Sequence, residues 1–199
     1  MALLVTPGRA TQHPACSALG AALLTSLLTA ASDWVERRCH RTFASTAHLE
    51  KHDGDGDVVL WANQLPIITL TSVIILDDDG STTTTVDGAD FRYNAASGEI
   101  RFAPTVTGDW SYFPSGFQNI TLSYTAGFAT IPELIQEAVI ALTLVMVAKG
   151  AHEGNPAYKS ESLGAYSYTL TEAAAGAAMQ LPPELLRDID TYIIHGRAA

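Results

Sequence analysis

Residues 119–148 constrain the fold of this 199-residue chain more than any other stretch. Ile120, Leu122 and Tyr124 alternate with Thr121, Ser123 and Thr125, the period-two pattern of a strand with one buried face. Ala126-Gly127 interrupts it, and Gly127 is free to take a positive φ. Thr130 is placed to cap a helix over 132–149, with Pro132 and Glu133 in a first turn that favours both. From Leu134 to Ala148 the pattern is apolar on nearly every face, and a helix apolar all round is buried all round. Roughly 17 residues is short for a membrane span, and Glu133, Gln136 and Glu137 occupy the first turns. The run therefore predicts a strand, a turn and a central core helix, part of whose surface meets other subunits.

Upstream, Pro7, Gly8 and Pro14 mark residues 1–15 as an extended arm. Ser17 can cap a first helix over 17–40. Leu19, Leu23, Leu27, Ala30, Trp34 and Arg38 fall along one side of it, and Leu24, Leu28, Ala31 and Val35 widen the stripe. Ala18 to Ala31 lies behind Arg9 and has the outline of a signal peptide. Its helical period continues through Trp34, Val35 and Cys39, however, which favours an ordinary helix. Cys16 and Cys39 make no disulfide framework, and burial as small apolar side chains is expected.

Between residues 44 and 125 short apolar runs are separated by turn residues, among them Asp53-Gly-Asp-Gly-Asp57, Asp77-Asp-Asp-Gly80, Asp87-Gly88 and Asn94 to Gly98. Candidate strands are Ala47–Lys51, Val58–Trp61, Ile67–Leu76, Thr83–Val86, Phe91–Tyr93, Glu99–Phe102 and Phe117–Thr125. Such spacing predicts an antiparallel sheet, sandwich or small barrel, with Ile67–Leu76 central and a hairpin turning at Gly98. After the core helix, Leu163, Ala165, Tyr166, Tyr168 and Leu170 form an extended segment over 163–171. Thr171 to Gln180 is an alanine-rich link, and a last helix over 182–195 presents Leu185, Ile189, Tyr192 and Ile193 on one side. The fold class is thus α+β: a helical core of residues 1–43 and 126–199, with a large antiparallel β insertion over 44–125.

Chemistry is sparse. His48, Glu50 and His52 would share one face of a strand, but the order His-Leu-Glu-Lys-His departs from the His-Glu-x-x-His zinc pattern, so a solvated strand edge is expected. Asp53-Gly-Asp-Gly-Asp57 matches only the start of a calcium loop, without the closing Glu. There is no Gly-x-Ser-x-Gly elbow, phosphate loop or paired-cysteine site. The sequence accordingly predicts no catalytic residues, no metal, no cofactor and no enzyme activity.

Charge narrows the partners. A net charge of −10 argues against gripping phosphates, which takes Lys and Arg, and suits a wall past which DNA slides. Charged residues make up 16% of the chain, against about 25% in typical soluble domains, as in a subunit covered by its neighbours. Arg37, Arg38 and Arg41 form the one basic cluster. They complement a helix C-terminus or dock on an acidic neighbour.

Four runs together resemble the head–tail connector (adaptor) proteins of tailed bacteriophages, the gp6-like family. These are residues 119–148, Ala31-Ser-Asp-Trp-Val-Glu-Arg-Arg-Cys-His-Arg-Thr-Phe43, Leu65-Pro-Ile-Ile-Thr-Leu-Thr-Ser-Val73 and Ser160-Glu-Ser-Leu-Gly-Ala-Tyr-Ser-Tyr168. The resemblance implies a virion protein of the neck that assembles in the host cytoplasm into a dodecameric ring under the portal. Such a ring extends the DNA channel, with DNA passing unbound, and docks a stopper or tail-completion protein without any membrane. It also implies portal or subunit contacts at Arg37, Arg38, Arg41, Leu163, Tyr166, Tyr168, Leu185, Ile189 and Tyr192. The β insertion is larger than in the family's short members, so its role is not carried over. An alternative that the Thr- and Asp-rich loops keep open is a β-domain binding module of a tail or surface protein that recognises a receptor or glycan.

Overall fold

A computed structural model describes residues 3–76, 83–103, 112–153, 160–163, 166–169 and 181–194. The fold class is α+β, with helices and antiparallel sheets. The chain divides into two compact units: Met1–Cys39 with Pro132–Ile193, and His40–Ile131 with Ile194–Ala199.

The first unit is helical. It opens with two single-turn helices, α1 (Pro7–Ala10) and α2 (Pro14–Ser17). This corrects the extended arm expected over 1–15. Both prolines stand at the first helical position, where the missing N–H costs nothing, and Thr6 and His13 cap them through side-chain acceptors. Leu4, Val5, Ala10 and Cys16 are buried, so the segment packs as core. The long helix α3 runs Ala21–Cys39. Ser17 is not its cap; its hydroxyl donates to the Pro14 carbonyl within α2 (2.8 Å). The helix ends where His40 adopts φ 52°, a left-handed C-terminal stop made without glycine.

Helix α4 spans Glu133–Glu153, longer than the 132–149 expected. Pro132, not Thr130, precedes it, and the Pro132 carbonyl accepts from Gln136 N–H (3.1 Å). Ile135, Ala138, Val139, Leu142 and Thr143 are buried in its first half. Leu144 to Val147 are only half-buried. Two strands follow, β8 (Ser160–Leu163) and β9 (Tyr166–Thr169), paired antiparallel with Leu163 opposite Tyr166. The segment expected to run extended over 163–171 instead belongs to a chain that doubles back. Ala165 and Leu170, and the link over 171–180, lie outside the described residues. The last helix, α5, covers Pro183–Asp190, shorter than 182–195, and packs against α3 and α4 with Ile189 fully buried.

The second unit is a β-sandwich. Strands β1 (Thr46–Gly54), β3 (Ile67–Leu76), β4 (Thr83–Asp87) and β7 (Gly116–Ala126) form one antiparallel sheet in the order β1-β7-β3-β4. Strands β2 (Leu60–Trp61), β5 (Phe91–Tyr93) and β6 (Glu99–Phe102) form a second, in the order β2-β6-β5. Alternation along β7 points Ile120, Leu122, Tyr124 and Ala126 inward, where they meet Val73 and Ile75 of β3 and, from the other sheet, Leu60, Phe91 and Ile100. Phe113 closes this core against Phe91 and Phe102. Each fully buried side chain of this size contributes roughly 1.5–3 kcal/mol. Gly127 has φ +114°, and a Cβ there would meet the Ala44 carbonyl oxygen at 2.5 Å. Gly98, at φ +76°, turns the β5–β6 hairpin.

Candidate functional site

The three arginines of the basic cluster have different partners. Arg37 is highly exposed and pairs with Asp33 one turn back on α3. Arg38 lies over the Trp34 ring (5.6 Å) and donates from Nε and Nη2 to the two oxygens of Asp190 at 2.8 and 2.9 Å. Arg41 belongs to the β unit, where its guanidinium sits against both Phe43 (5.2 Å) and Phe128 (5.0 Å) and donates to the Leu65 carbonyl. Two of the three arginines therefore tie their own units together.

Of the remaining residues, Ile189 is internal, and its carbonyl lies 3.7 Å from Cys39 Sγ. Leu185 and Tyr192 are half-buried. Leu163, Tyr166 and Tyr168 lie in the β8–β9 hairpin, with Glu161 opposite Tyr168.

The wide apolar stripe expected on α3 is buried along only one of its two sides. Leu24, Leu28, Ala31, Val35 and Cys39 are buried. Leu23 is 54% exposed, Ala30 is exposed, and Leu27 and Trp34 are half-covered. Both sides repeat at helical spacing, so composition alone could not say which would face inward. The outward one is an apolar band along a helix, and half-buried Leu144 to Val147 of α4 add to the apolar surface this unit shows.

Residues expected on a solvated strand edge do lie on the edge strand β1, but Glu50 and His52 are part-buried there in a polar network. Tyr124 Oη donates to Glu50 Oε1 (2.6 Å) and accepts from Gln64 N–H (2.9 Å). Asn63 N–H and His52 Nε2 each lie 3.2 Å from Glu50 Oε2. Burial alone would raise the Glu50 pKa, but hydrogen bonds from His52, Tyr124 and Asn63 overcome it and leave the carboxyl below its ordinary value. Burial and the facing carboxylate push Tyr124 well above its own. Among the described residues no group of three or more His, Cys, Asp or Glu is gathered to hold a metal. Nor is any helix there long and apolar enough to cross a membrane.

In the helical unit Arg9 reaches Glu133 and Glu137 at the start of α4, with Nη2 2.7 Å from Glu137 Oε1. Hydrogen bonding to Arg9 holds Glu133 below the usual carboxylate range, and the same pairing raises Arg9. Cys16 and Cys39 are free and buried, and burial pushes the Cys16 thiol up.

The chain is thus a helical unit interrupted in sequence by a β-sandwich, with exposed apolar side chains such as Leu23 on α3. No protein-family model matches it, and no curated protein matches it in sequence. Its fold matches chains of gene transfer agent (GTA) particles. In the neck of an empty GTA particle computed with C6 symmetry, the TM-score is 0.58 at 18% identity, covering 100% of this chain and 95% of that one. In the neck of a native GTA particle computed with C12 symmetry it is 0.52 at 19% identity, covering 100% and 94%. A chain from the virion of a native GTA particle gives 0.52 at 20% identity, covering 90% and 82%. At these identities the likeness is one of fold.

Proposed function

We propose that this chain is a structural subunit of the neck of a tailed phage or phage-like particle: a head–tail connector, or adaptor, that closes into a ring below the portal. The observation that carries this reading is the whole-length likeness to neck chains. The sixfold and twelvefold symmetries of those necks support a closed ring, with a dodecamer the simplest count. Such a ring needs head-to-tail contacts between unlike patches. The helical core, 1–43 with 126–199, supplies them through the outward band of α3 and the half-buried residues 144–147 of α4. The β insertion, 44–125, is taken as a subdomain of its own. The β8–β9 hairpin, with Leu163, Tyr166 and Tyr168, and helix α5 contact the portal or the next subunit. A stopper or tail-completion protein docks on the other side. A chain of net charge −10 leaves DNA mobile in the channel. The role is geometric, with no reaction to catalyse.

Light scattering on the full chain, alone and mixed with the cognate portal, tests this. The expected result is a ring-sized species at high concentration or a stable portal complex. A monomer under both conditions defeats the proposal.

A further inference from the structure

Four basic side chains stand against eleven acidic ones between His40 and Ile131. Two of those four face each other: Arg92 on β5 and Arg101 on β6 are direct cross-strand partners. Like charges in that position oppose sheet formation. Arg101 spends Nε on Glu99, and the structure gives Arg92 no ion-pair partner among the described residues. The two arginines, with Tyr93, Asn94 and Glu99, line an open groove of about 190 Å³. Its walls are fixed. Tyr93 Oη donates to the Ile68 carbonyl (3.1 Å), and Asn94 Oδ1 accepts from Ala96 and Ser97 N–H at 3.0 and 3.2 Å. Paired planar guanidiniums suit the bidentate binding of oxyanions.

Charge complementarity within the chain identifies the occupant. The end of β1 and the loop after it present Asp53, Asp55 and Asp57, all exposed, and none of them pairs with either arginine in the same chain among the described residues. Asn119 Oδ1 accepts from Gly54 N–H (2.8 Å) and Asp53 Oδ1 from Gln118 N–H (2.6 Å), so the loop is held to β7. Beside it Phe117 is 81% and Tyr112 50% exposed. Carboxylates flanked by bare aromatic rings complement guanidiniums both by ion pairing and by cation–π contact. DNA phosphates share the oxyanion chemistry, but the acidic surroundings repel a polyanion.

We propose that the Arg92–Arg101 groove is a carboxylate-binding site that receives the Asp53–Asp57 loop of a second copy of this chain. The proposal rests on the ring reading and adds to it a contact between β units. That contact joins unlike patches, the kind from which rings are closed.

The test is sedimentation velocity on the full chain across salt concentrations, with three variants: Arg92→Glu/Arg101→Glu, Asp55→Arg/Asp57→Arg, and the two pairs combined. Each reversal should weaken self-association by about tenfold, and the combination should restore it. The substituted side chains are exposed, so circular dichroism and melting should stay at wild-type values. Reversals that leave association unchanged, or a combination that fails to rescue, overturn the groove contact while the ring reading stands. A wild-type chain that remains monomeric overturns both. Binding of labelled duplex DNA that is lost only in the arginine variant, with association untouched, assigns the groove to phosphate and overturns the proposal.

Discussion

Arg38 and Asp190 lie 152 positions apart in the chain and meet in a two-pronged ion pair, with N–O distances of 2.8 and 2.9 Å. The pair joins the end of α3 to the end of α5. Both side chains are about a third to two-fifths exposed, so solvent screening limits its worth to about 1 kcal/mol. Asp190→Ala should lower the urea midpoint slightly and speed amide exchange in α5 well beyond that in α3 or α4. Arg38→Lys keeps the charge but cannot offer two parallel donors, so it should recover only part of the protection. Hydrogen exchange resolved by segment checks both.

Leu142 is among the largest fully buried side chains of α4. It is 1% exposed and lies one residue from the buried Thr143, whose hydroxyl already donates back to the Val139 carbonyl (2.8 Å). Leu142→Ala should cost about 2–5 kcal/mol through lost burial and a cavity. Leu142→Asp adds a buried charge with no partner, costs several kcal/mol more and should leave no folded helical unit. Equilibrium denaturation followed by far-ultraviolet circular dichroism measures the first; the second should appear as insoluble or unfolded chain.

How much was legible in advance depended on where each constraint lives. The alternation of Ile120, Leu122 and Tyr124, the long run Ile67–Leu76, and the turns at Gly98 and Gly127 are local patterns, and strands and turns appear there. Pro7 and Pro14 carry an ambiguous signal, since proline breaks regular structure in most positions but starts a helix at the first one. The two sides of the α3 stripe are chemically alike, and packing against α1 and against α4 and α5, the last two more than 90 residues away, decides between them. Glu50 looked like a surface charge because its partner Tyr124 is 74 positions distant. The exposed arginine pair Arg92–Arg101 depends on strand register, which spacing alone does not fix.

The network around Glu50 predicts a pH dependence with a definite sign. Its folded pKa lies below the ordinary value of 4.5, so its contribution is complete above about pH 4.5 and is lost as pH falls through the folded value. Wild-type stability should therefore decline on acidification below that point. Glu50→Gln should be less stable than wild type at neutral pH and should show a shallower acid decline. Urea melts followed by Tyr and Trp fluorescence at several pH values check the difference.

Gly127 tests the junction after β7. At φ +114°, with the Ala44 and Phe43 carbonyl oxygens 2.5 and 3.0 Å from where a Cβ would stand, any side chain is both strained and crowded. Gly127→Ala should cost about 1–3 kcal/mol. Gly8→Ala is the matched control, since nothing lies within 4 Å of a Cβ there and φ is ordinary. Thermal melts of the two variants should separate clearly, with Gly8→Ala close to wild type.

The outward band of α3 gives the sharpest separation between folding and assembly. Leu23 is 54% exposed and so contributes little to the core of its own unit. It lies one residue before Leu24, which is 2% exposed. Leu23→Glu should leave the melting temperature within a degree or two of wild type, as surface changes shift stability by about 0.5 kcal/mol or less. In a ring the same change places a charge in an apolar contact, where desolvation costs several kcal/mol. Self-association should therefore fall by about a hundredfold or more while the monomer stays folded. Leu24→Glu should do the opposite and unfold the unit at any concentration. Melting and sedimentation measured on both variants distinguish an assembly surface from an incidental patch: if Leu23→Glu associates as well as wild type, α3 does not line the subunit contact.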